Sequence, residues 1–501
     1  MRWLDKMADN VRNGIRSFLQ INPPQQSVFQ VTEQLDYYGN AAVNRIWTRG
    51  DANELQELYS SLPGQVNRIR FWAAVSSAGN DINKLHTGLP GIMRKIITHI
   101  VIADMGDITV GDKWQQEWQN IERDNQFKDI LEDAIKEILT VGDGAFKISF
   151  DPALTEFPII EFIPGDELEY VVKRGRIREI IFKTRYVRKN ITYILEERYG
   201  RGYIRSRLLK DDKEISLSAL PETENIAPEL LFQGDFIMAV RFMAFKSDKY
   251  KGRGAGIFDG KADALDALDE SWSQWMDALR RGHSKEYIPE TMLPRNPYTG
   301  EVMAPNPFDH AYIKVDRPMK ENETSEIVVK QPEIPHESYM STYCNALDLV
   351  LQGILSPSTL GVDVKKLDNA EAQREKEKVT LYTRNKLVQA IQNIVPDVVN
   401  ATLKAYEIWL QRPVEDVDVE IPFGEYANPS FESQVETVGK GKAQGIMSLE
   451  ACVEELYGAS KDKEWKDEEV MRLKKEQGIT EMEEPGINMG AGEFQIEGSE
   501  G

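Results

Sequence analysis

Residues 256–282 read GIFDGKADALDALDESWSQWMDALRRG. Apolar residues recur in this stretch at helical spacing and a glycine follows, which predicts a helix over 257–281 that ends at Gly282. A helical wheel places five acidic residues within about 60° of one another, nearly opposite the apolar residues. The acidic residues are Asp259, Asp263, Asp266, Glu270 and Asp277, and the apolar residues are Phe258, Leu265, Leu268, Trp272, Trp275, Met276 and Leu279. We therefore predict a helix that packs on one face and is strongly acidic on the other.

A second and a third helix are predicted downstream. The proline-punctuated segment 283–335, with strand candidates at 311–315 and 326–329, predicts a small α/β insertion. A helix follows over 336–355 and stops at Ser356-Pro357. After a loop, Asp368 or Asn369 can cap a third helix that runs towards Trp409, and Pro396 should kink it.

The flanking regions predict a mixed fold. Helical spacing extends from the start of the chain to about residue 144, with one helix ending at Gly142 and Gly144. A period of two then predicts an antiparallel meander over 146–215 and a further strand over 236–245. Beyond the third helix we expect a β segment at 417–422, helices at 431–440, 448–457 and 467–477, and a disordered acidic tail at 480–501. The fold class is therefore α+β and predominantly helical.

Composition narrows the function classes. The 501 residues are 41% hydrophobic, which is enough for a sizeable core, and the net charge is −21. Because proteins that grip DNA neutralise phosphates with basic surfaces, the acidity argues against a general DNA binder, although it could simply confer solubility. The two cysteines, Cys344 and Cys452, lack the spacing of a zinc site or a disulfide framework. No stretch predicts a signal peptide or a membrane span, so we expect a cytoplasmic setting without membrane partners.

Catalytic motifs fail on spacing or residue type. The segment 254–262 has five residues rather than four between its glycines, and Ala262 stands where a phosphate-binding loop needs Ser or Thr. His336-Glu337 lacks the second histidine of a metalloprotease. We expect no enzymatic activity, no cofactor and no metal site.

The order of elements in this region resembles the bacteriophage portal family, especially portals of long-tailed phages. This order is a helix, a small insertion, a second helix, a loop and a long third helix. Residues 256–282 resemble the first stem helix of that family, which follows a glycine-containing loop and begins rich in aspartate. The segments LSPSTLG at 355–361 and NAEAQREKEKVT at 369–380 are similar to the approach to the family's tunnel loop and to the helix that follows it.

The resemblance implies a domain map with wing, stem, clip and crown parts. The implied parts are a wing at 1–256, stem helix 1 at 257–282, a clip at 283–335, stem helix 2 at 336–355, a tunnel loop at 356–368, a long kinked wing helix at 369–411, a wing β segment at 412–430, crown helices at 431–479 and a disordered tail at 480–501.

The resemblance also implies an assembly and its partners. Family members form head-to-tail connector rings, commonly of twelve subunits, at the capsid vertex of the virion, assembled in the host cytoplasm. Double-stranded DNA passes through without sequence specificity during packaging and ejection. The terminase motor, the major capsid or scaffolding protein and a head-completion adaptor are the implied protein partners, and the ATPase belongs to the motor.

Three sets of residues are predicted to serve such a ring. The acidic face is predicted to line the channel and repel phosphates, with an outward, solvated face as the alternative. Its residues are Asp259, Asp263, Asp266, Glu270 and Asp277. The apolar residues Trp272, Trp275 and Leu279 are predicted to hold subunits together, with burial inside the subunit as the alternative. The tip of the tunnel loop is predicted to touch DNA through salt-dependent contacts that read no base sequence, with lysines that only add solubility as the alternative. Its residues are Val362, Asp363, Val364, Lys365 and Lys366.

Two other functions stay open at the level of the sequence. A structural head or adaptor protein without a channel would form no closed ring with a DNA-sized lumen. A nuclease that uses acidic residues with Mg²⁺ would cleave DNA in a metal-dependent manner.

Overall fold

The computed structural model describes residues 35–62, 70–75, 83–282, 285–289, 293, 295–303, 311–315, 328–330, 333–361, 370–424, 431–457 and 463–476. The chain divides into two compact units, Met1–Phe423 and Gly424–Gly501. The described helices of the first unit are α1 (Tyr37–Arg49), α2 (Ala52–Ser61), α3 (Leu89–Ala103), α4 (Gln115–Asn125), α5 (Phe127–Val141), α6 (Ala262–Arg281), α7 (His336–Leu351) and α8 (Ala370–Trp409). Together with the mainly antiparallel sheets below, they confirm an α+β fold rich in helix.

The described strands of the first unit form three sheets and one short pair. They are β1 (Thr109–Val110), β2 (Asp143–Ser149), β3 (Ile159–Pro164), β4 (Leu168–Lys173), β5 (Arg176–Arg188), β6 (Ile191–Gly200), β7 (Tyr203–Lys210), β8 (Lys213–Ile215), β9 (Glu229–Leu231), β10 (Ala239–Met243), β11 (Lys285–Pro289), β12 (Ala311–Val315), β13 (Val328–Lys330) and β14 (Val419–Glu420). The sheet orders are β10-β2-β3, β4-β5-β6-β7-β8 with β9 also on β7, and β12-β11-β13, while β1 pairs with β14.

The predicted meander is confirmed, with one difference in how its strands are shared. Strands β4 to β8 pair antiparallel in sequence order. Strands β2 and β3 instead join β10 in a separate sheet. The strand candidates at 311–315 and 326–329 correspond to β12 and β13, and both pair with β11, which the sequence did not predict.

The helix predicted to end at Gly142 is two helices, α4 and α5. Gln126 lies between them with a φ of 53°, a left-handed conformation that an α-helix does not continue through. The side-chain amide of Asn125 donates to the carbonyls of Ile121 and Pro158, at 2.9 and 2.8 Å, and so fixes the break. Helical spacing alone did not reveal this left-handed residue.

The predicted bounds of the later helices differ by a few residues. Helix α6 begins at Ala262 rather than at Ile257, because Gly260 adopts a φ of 76° and the preceding residues form turns. Helix α7 ends at Leu351, before Gly353 with a φ of 79°. Helix α8 covers the predicted third helix and runs through Pro396.

The main core lies between helices α1 to α8. Three tryptophans, Trp47, Trp72 and Trp118, are almost fully buried in it. A second core lies under the β4–β7 sheet around Phe182 and Tyr199. Every helix in the described part of the chain is too short or too polar to cross a bilayer.

The described residues of the second unit form the helices α9 (Phe431–Ala443), α10 (Leu449–Tyr457) and α11 (Lys463–Glu476), which correspond to the predicted ones. Leu449, Val453 and Val470 form a small core between α10 and α11. Ion pairs of Lys466 with Glu454 and of Lys474 with Glu450, both at 2.9 Å, support the same contact.

A buried carboxylate joins three distant parts of the first unit. Asp143 at the start of β2 is fully buried and accepts hydrogen bonds from the Tyr37 hydroxyl (3.0 Å), Arg253 Nη2 (2.9 Å) and the Gly254 amide (2.6 Å). The Arg253 guanidinium carbon also lies 3.7 Å from the centroid of the Tyr37 ring. Burial beside Asp143 raises the pKa of Tyr37, so the tyrosine stays a donor.

We predict that Asp143→Ala lowers the free energy of unfolding by about 3–5 kcal/mol, because it leaves the Arg253 charge buried without its partner. Asp248→Ala, at an exposed aspartate, is the matched control and should change it by less than about 0.5 kcal/mol. Denaturant titration measures both, and equal effects of the two changes would refute the role of Asp143.

Candidate functional site: the acidic helix and its partner helix

Helix α6 is built into the core through its first half. Leu265 and Leu268 are buried there, whereas Leu279 near the other end is 42% exposed. The helix therefore has an anchored base and an accessible outer end.

Asp269 is the main anchor of the base. Its carboxylate is 1% exposed and accepts hydrogen bonds from Trp72 Nε1 (3.2 Å), the Thr87 amide (3.0 Å) and the Thr87 hydroxyl (2.9 Å), and it contacts His86 Nδ1 (2.7 Å). The other ring nitrogen of His86 lies 3.2 Å from the carbonyl oxygen of Trp47. A buried carboxylate is costly unless it is hydrogen-bonded, and these contacts meet that requirement.

Asp266 is a correction to the predicted acidic face. It is 6% exposed and accepts hydrogen bonds from the backbone amides of Phe71 (2.7 Å) and Trp72 (3.4 Å). Burial raises the pKa of its carboxyl, and these amides counteract part of that rise. The prediction that Asp266 lines a channel is wrong, because the segment around Phe71 covers that side of the helix.

Asp259 lies before the helix rather than on its face. It is half-buried and accepts hydrogen bonds from the side-chain amides of Asn40 and Asn44, both at 2.8 Å, and from the Gly256 amide at 3.1 Å. The carboxylate thus fixes the glycine-containing loop to helix α1. The prediction that Asp259 belongs to the acidic face of this helix is wrong, because the helix begins only at Ala262.

Three of the five predicted acidic residues remain accessible. Asp263 is exposed and pairs with Arg70, so part of its charge is neutralised. Glu270 is half-buried and accepts a hydrogen bond from Gln274 Nε2 at 2.9 Å, and Asp277 is also half-buried. Their place on a channel wall stays a prediction.

The two tryptophans of α6 face helix α7. Their rings lie 5.9 Å apart between centroids, and the Tyr343 ring lies 5.4 Å from Trp272 and 6.4 Å from Trp275. Both tryptophans are half-buried in the single chain. They therefore pack within the subunit on one side and retain accessible surface, and the predicted interface role of Trp272, Trp275 and Leu279 stays a prediction.

Helices α6 and α7 form an antiparallel hairpin. At the base, Lys261 donates to the carbonyls of Leu349 (3.0 Å) and Gln352 (2.8 Å) at the end of α7. At the outer end, Gly282 lies against Ile334, just before α7 begins. A cation at the carboxyl end of a helix is favourable, although partial burial lowers the pKa of Lys261.

The predicted tunnel-loop residues Val362, Asp363, Val364, Lys365 and Lys366 lie outside the described residues. The segment that leads to them is fixed to α8: the Ser356 amide donates to Thr380 Oγ1 at 2.9 Å, and the Thr383 hydroxyl donates to the Ile354 carbonyl at 2.7 Å.

Sequence reasoning missed the buried cluster around Asp269. The available signal was its position, since a wheel places Asp269 about 40° from Leu265, inside the apolar stripe. Its partners, Trp72, His86 and Thr87, lie almost two hundred residues away and carried no detectable motif. Among the described residues, no group of three or more His, Cys, Asp or Glu is arranged to hold a metal ion.

Comparison with known proteins gave structural neighbours only. No family model and no curated protein matches the sequence. The chain is similar to a chain of the "Virion of native gene transfer agent (GTA) particle", with a TM-score of 0.37 and 15% identity over 72% of this chain and 87% of that one. It is also similar to a chain of the "Neck of native GTA particle computed with C12 symmetry", with a TM-score of 0.39 and 14% identity over the same shares. Both TM-scores are below 0.5, so neither likeness establishes a function for this chain.

We predict that Asp269→Asn lowers the free energy of unfolding by about 2–3 kcal/mol, because the amide accepts fewer of the buried donors and has no charge. Limited proteolysis should then cut the chain near His86 more readily than in the unmodified protein. Glu270→Gln, on the next residue of the same helix, is the control and should change neither measurement. Equal behaviour of the two variants would show that the cluster does not anchor α6.

Proposed function

We propose that this protein is a phage portal subunit that forms a ring-shaped channel for double-stranded DNA. The observation that carries the proposal is the α6–α7 hairpin, which has its base in the core and its outer end exposed and is connected through the three-stranded sheet β12-β11-β13. Repeated around an axis, such hairpins would make a tubular wall, and the small sheets would lie at its outer end. This arrangement matches the stem and clip that the sequence resemblance implies.

The anchoring of the hairpin suits a channel wall. A helix that borders moving DNA must keep its position under lateral force, and α6 is held at its base by the buried carboxylates of Asp266 and Asp269 and by Lys261 on α7. The outer end leaves Leu279 and Met340 exposed, at 42% and 48%. Neighbouring subunits would cover these apolar side chains.

The accessible acidic residues would face the passing DNA. In a ring, each would become a band of negative charge that repels phosphates and keeps the duplex from adhering. Because Arg70 partly neutralises Asp263, this residue would contribute less to the repulsion than an unpaired carboxylate. Lys365 and Lys366 of the tunnel loop would provide the compensating, weak phosphate contacts.

The proposed partners follow from the same role. The ring, commonly of twelve copies in the family, would sit at the capsid vertex with the major capsid or scaffolding protein around it. The β12-β11-β13 sheet would meet the terminase motor during packaging and a head-completion adaptor afterwards. ATP hydrolysis would belong to the motor.

We predict that purified protein forms closed rings whose mass, measured by native mass spectrometry, is an integral multiple of the subunit mass. Leu279→Asp should shift this mass towards folded monomers, because it places a charge in the proposed contact. Ala267→Asp, also at an exposed position on α6, is the control and should leave the rings intact. A monomer as the largest species of unmodified protein under all conditions that support packaging would refute the proposal.

We also predict that Glu270→Gln combined with Asp277→Asn slows DNA packaging in a reconstituted head assay while ring mass stays unchanged. Loss of two negative bands lets phosphates adhere to the wall. Replacement of Glu455 and Glu464, exposed acids of the second unit, by Gln removes the same charge elsewhere and should leave the packaging rate unaltered. Normal packaging by the α6 variant would show that these acidic residues do not act on the passing DNA.

A further inference from the structure

The hairpin turn between β4 and β5 carries an isolated group of positive charges. Residues 173–178 read KRGRIR, and the side chains of Lys173, Arg174, Arg176 and Arg178 are all exposed. The described part of the chain gives none of the four an ion-pair partner. The nearest acidic residue in sequence, Glu179, is already engaged by Tyr203 and Arg198. In a protein of net charge −21, this concentration of free cations requires an explanation.

The four cations lie together at one end of the hairpin. Lys173 and Arg176 are direct cross-strand partners, so their side chains point to the same side. Arg178 follows closely on β5 and has no partner on β4, because the register shifts there: Val172 lies opposite Ile177 and Val171 opposite Glu179. The hairpin end is accessible because β6 begins to pair with β5 only at Ile180, which leaves this end of β5 beside β4 alone.

The positive charges at this hairpin end lower the stability of the sheet. Like charges placed directly opposite each other, as Lys173 and Arg176 are, destabilise a sheet. Arg174 has a φ of 54° and Gly175 a φ of 79°, the geometry of a tight type I′ turn. The first position of such a turn favours Asn, Asp or Gly, so arginine there is unfavourable. The opposed like charges and the arginine in the turn are both unfavourable for folding. Their presence at one place therefore indicates a function for this hairpin end.

In two other turns of the same sheet, carboxylates lie next to the basic residues. Asp211 and Asp212 occupy the β7–β8 turn, also with positive φ, and place two carboxylates between Lys210 and Lys213. At the β5–β6 turn, Lys189 and Asn190 have positive φ, and the neighbouring Arg188 pairs with Glu222. The Arg174 turn is the one among these three without a carboxylate partner.

We propose that the β4–β5 hairpin end binds the phosphate backbone of double-stranded DNA without sequence preference. Arginine guanidinium groups form paired hydrogen bonds with phosphate oxygens, and contacts of this kind position DNA without reading its bases. A protein partner would need an apolar or aromatic centre, and the only large apolar side chain that the described residues 172–178 expose strongly is Val172, at 45%. The phosphate backbone is therefore the partner that this surface fits.

The inference takes the type of nucleic acid from the proposed function but does not need a ring or a channel. Because the rest of the protein is acidic, it repels DNA, and a cationic hairpin that extends past its neighbouring strand would make contact where the main surface cannot. In a capsid this contact would fall on DNA outside the channel.

The test compares two full-length variants that each lose three positive charges. The first replaces Lys173, Arg176 and Arg178 by Gln, and the control replaces Arg185, Lys189 and Lys213 by Gln, which are exposed towards the opposite end of the same sheet. Fluorescence anisotropy measures binding to a short blunt duplex of arbitrary sequence over a range of salt concentrations. Poly-glutamate, at equal charge concentration, is the second probe.

The logarithm of the binding constant decreases as the logarithm of the salt concentration increases. We expect this slope to be less steep by about 2.7 in the first variant, which is 0.9 for each of three lost phosphate contacts. The control should keep the slope of the unmodified protein. The melting temperature of the first variant should stay the same or rise, because the opposed like charges are gone, whereas a structural role would lower it. Ring mass should be the same in both variants, which separates this proposal from the proposed function.

Three results would overturn the inference. The first is absence of duplex binding by the unmodified protein at low salt. The second is an equal loss of binding in both variants, which would reduce the effect to net charge. The third is tighter binding of poly-glutamate than of duplex by the unmodified protein, with the same loss in the first variant, which would identify an acidic protein surface as the partner.

Discussion

The first unit depends on buried carboxylates that accept hydrogen bonds from chain segments far away in sequence. Asp269 on α6 holds the segment that contains Trp72, His86 and Thr87, and Asp143 on β2 holds the loop of Arg253 against Tyr37. Each charge is acceptable in the interior only because several donors converge on it. Loss of the donors to Asp269 would therefore leave its carboxylate buried without partners and would also loosen the base of α6.

This constraint explains why an acidic helix can be part of a core. On α6, Asp266 and Asp269 are buried, whereas Asp263 is exposed and Glu270 and Asp277 are half-buried. The acidic residues thus have two different roles. The buried Asp266 and Asp269 position the hairpin, and the other three supply charge to its accessible side. In the proposed channel, the first group would give the wall its stiffness and the second its repulsion of DNA. The unopposed cations of the β4–β5 hairpin would add the opposite charge at a separate place.

Much of the fold could be predicted from the sequence, because helical spacing, alternation and glycines are local signals. They placed α7 and α8 within a few residues, indicated the antiparallel meander and identified β12. The left-handed turn at Gln126 and the five-residue strand β11 were missed, because neither changes the local hydrophobic pattern. The burial of Asp266 could not be predicted either, since it depends on Phe71, a residue 195 positions away. The tunnel-loop assignment at 362–366 still rests on the sequence resemblance alone.

Electron cryomicroscopy of the assembled protein, viewed along its symmetry axis, shows directly whether copies of the α6–α7 hairpin form the wall of a DNA channel. We expect a closed ring with an open lumen, in which α6 borders the lumen, Glu270 and Asp277 lie towards the axis and Trp275 lies near the neighbouring subunit. A closed ring with α6 on its outer surface, or an assembly without a lumen, would show that the hairpin does not form a channel wall.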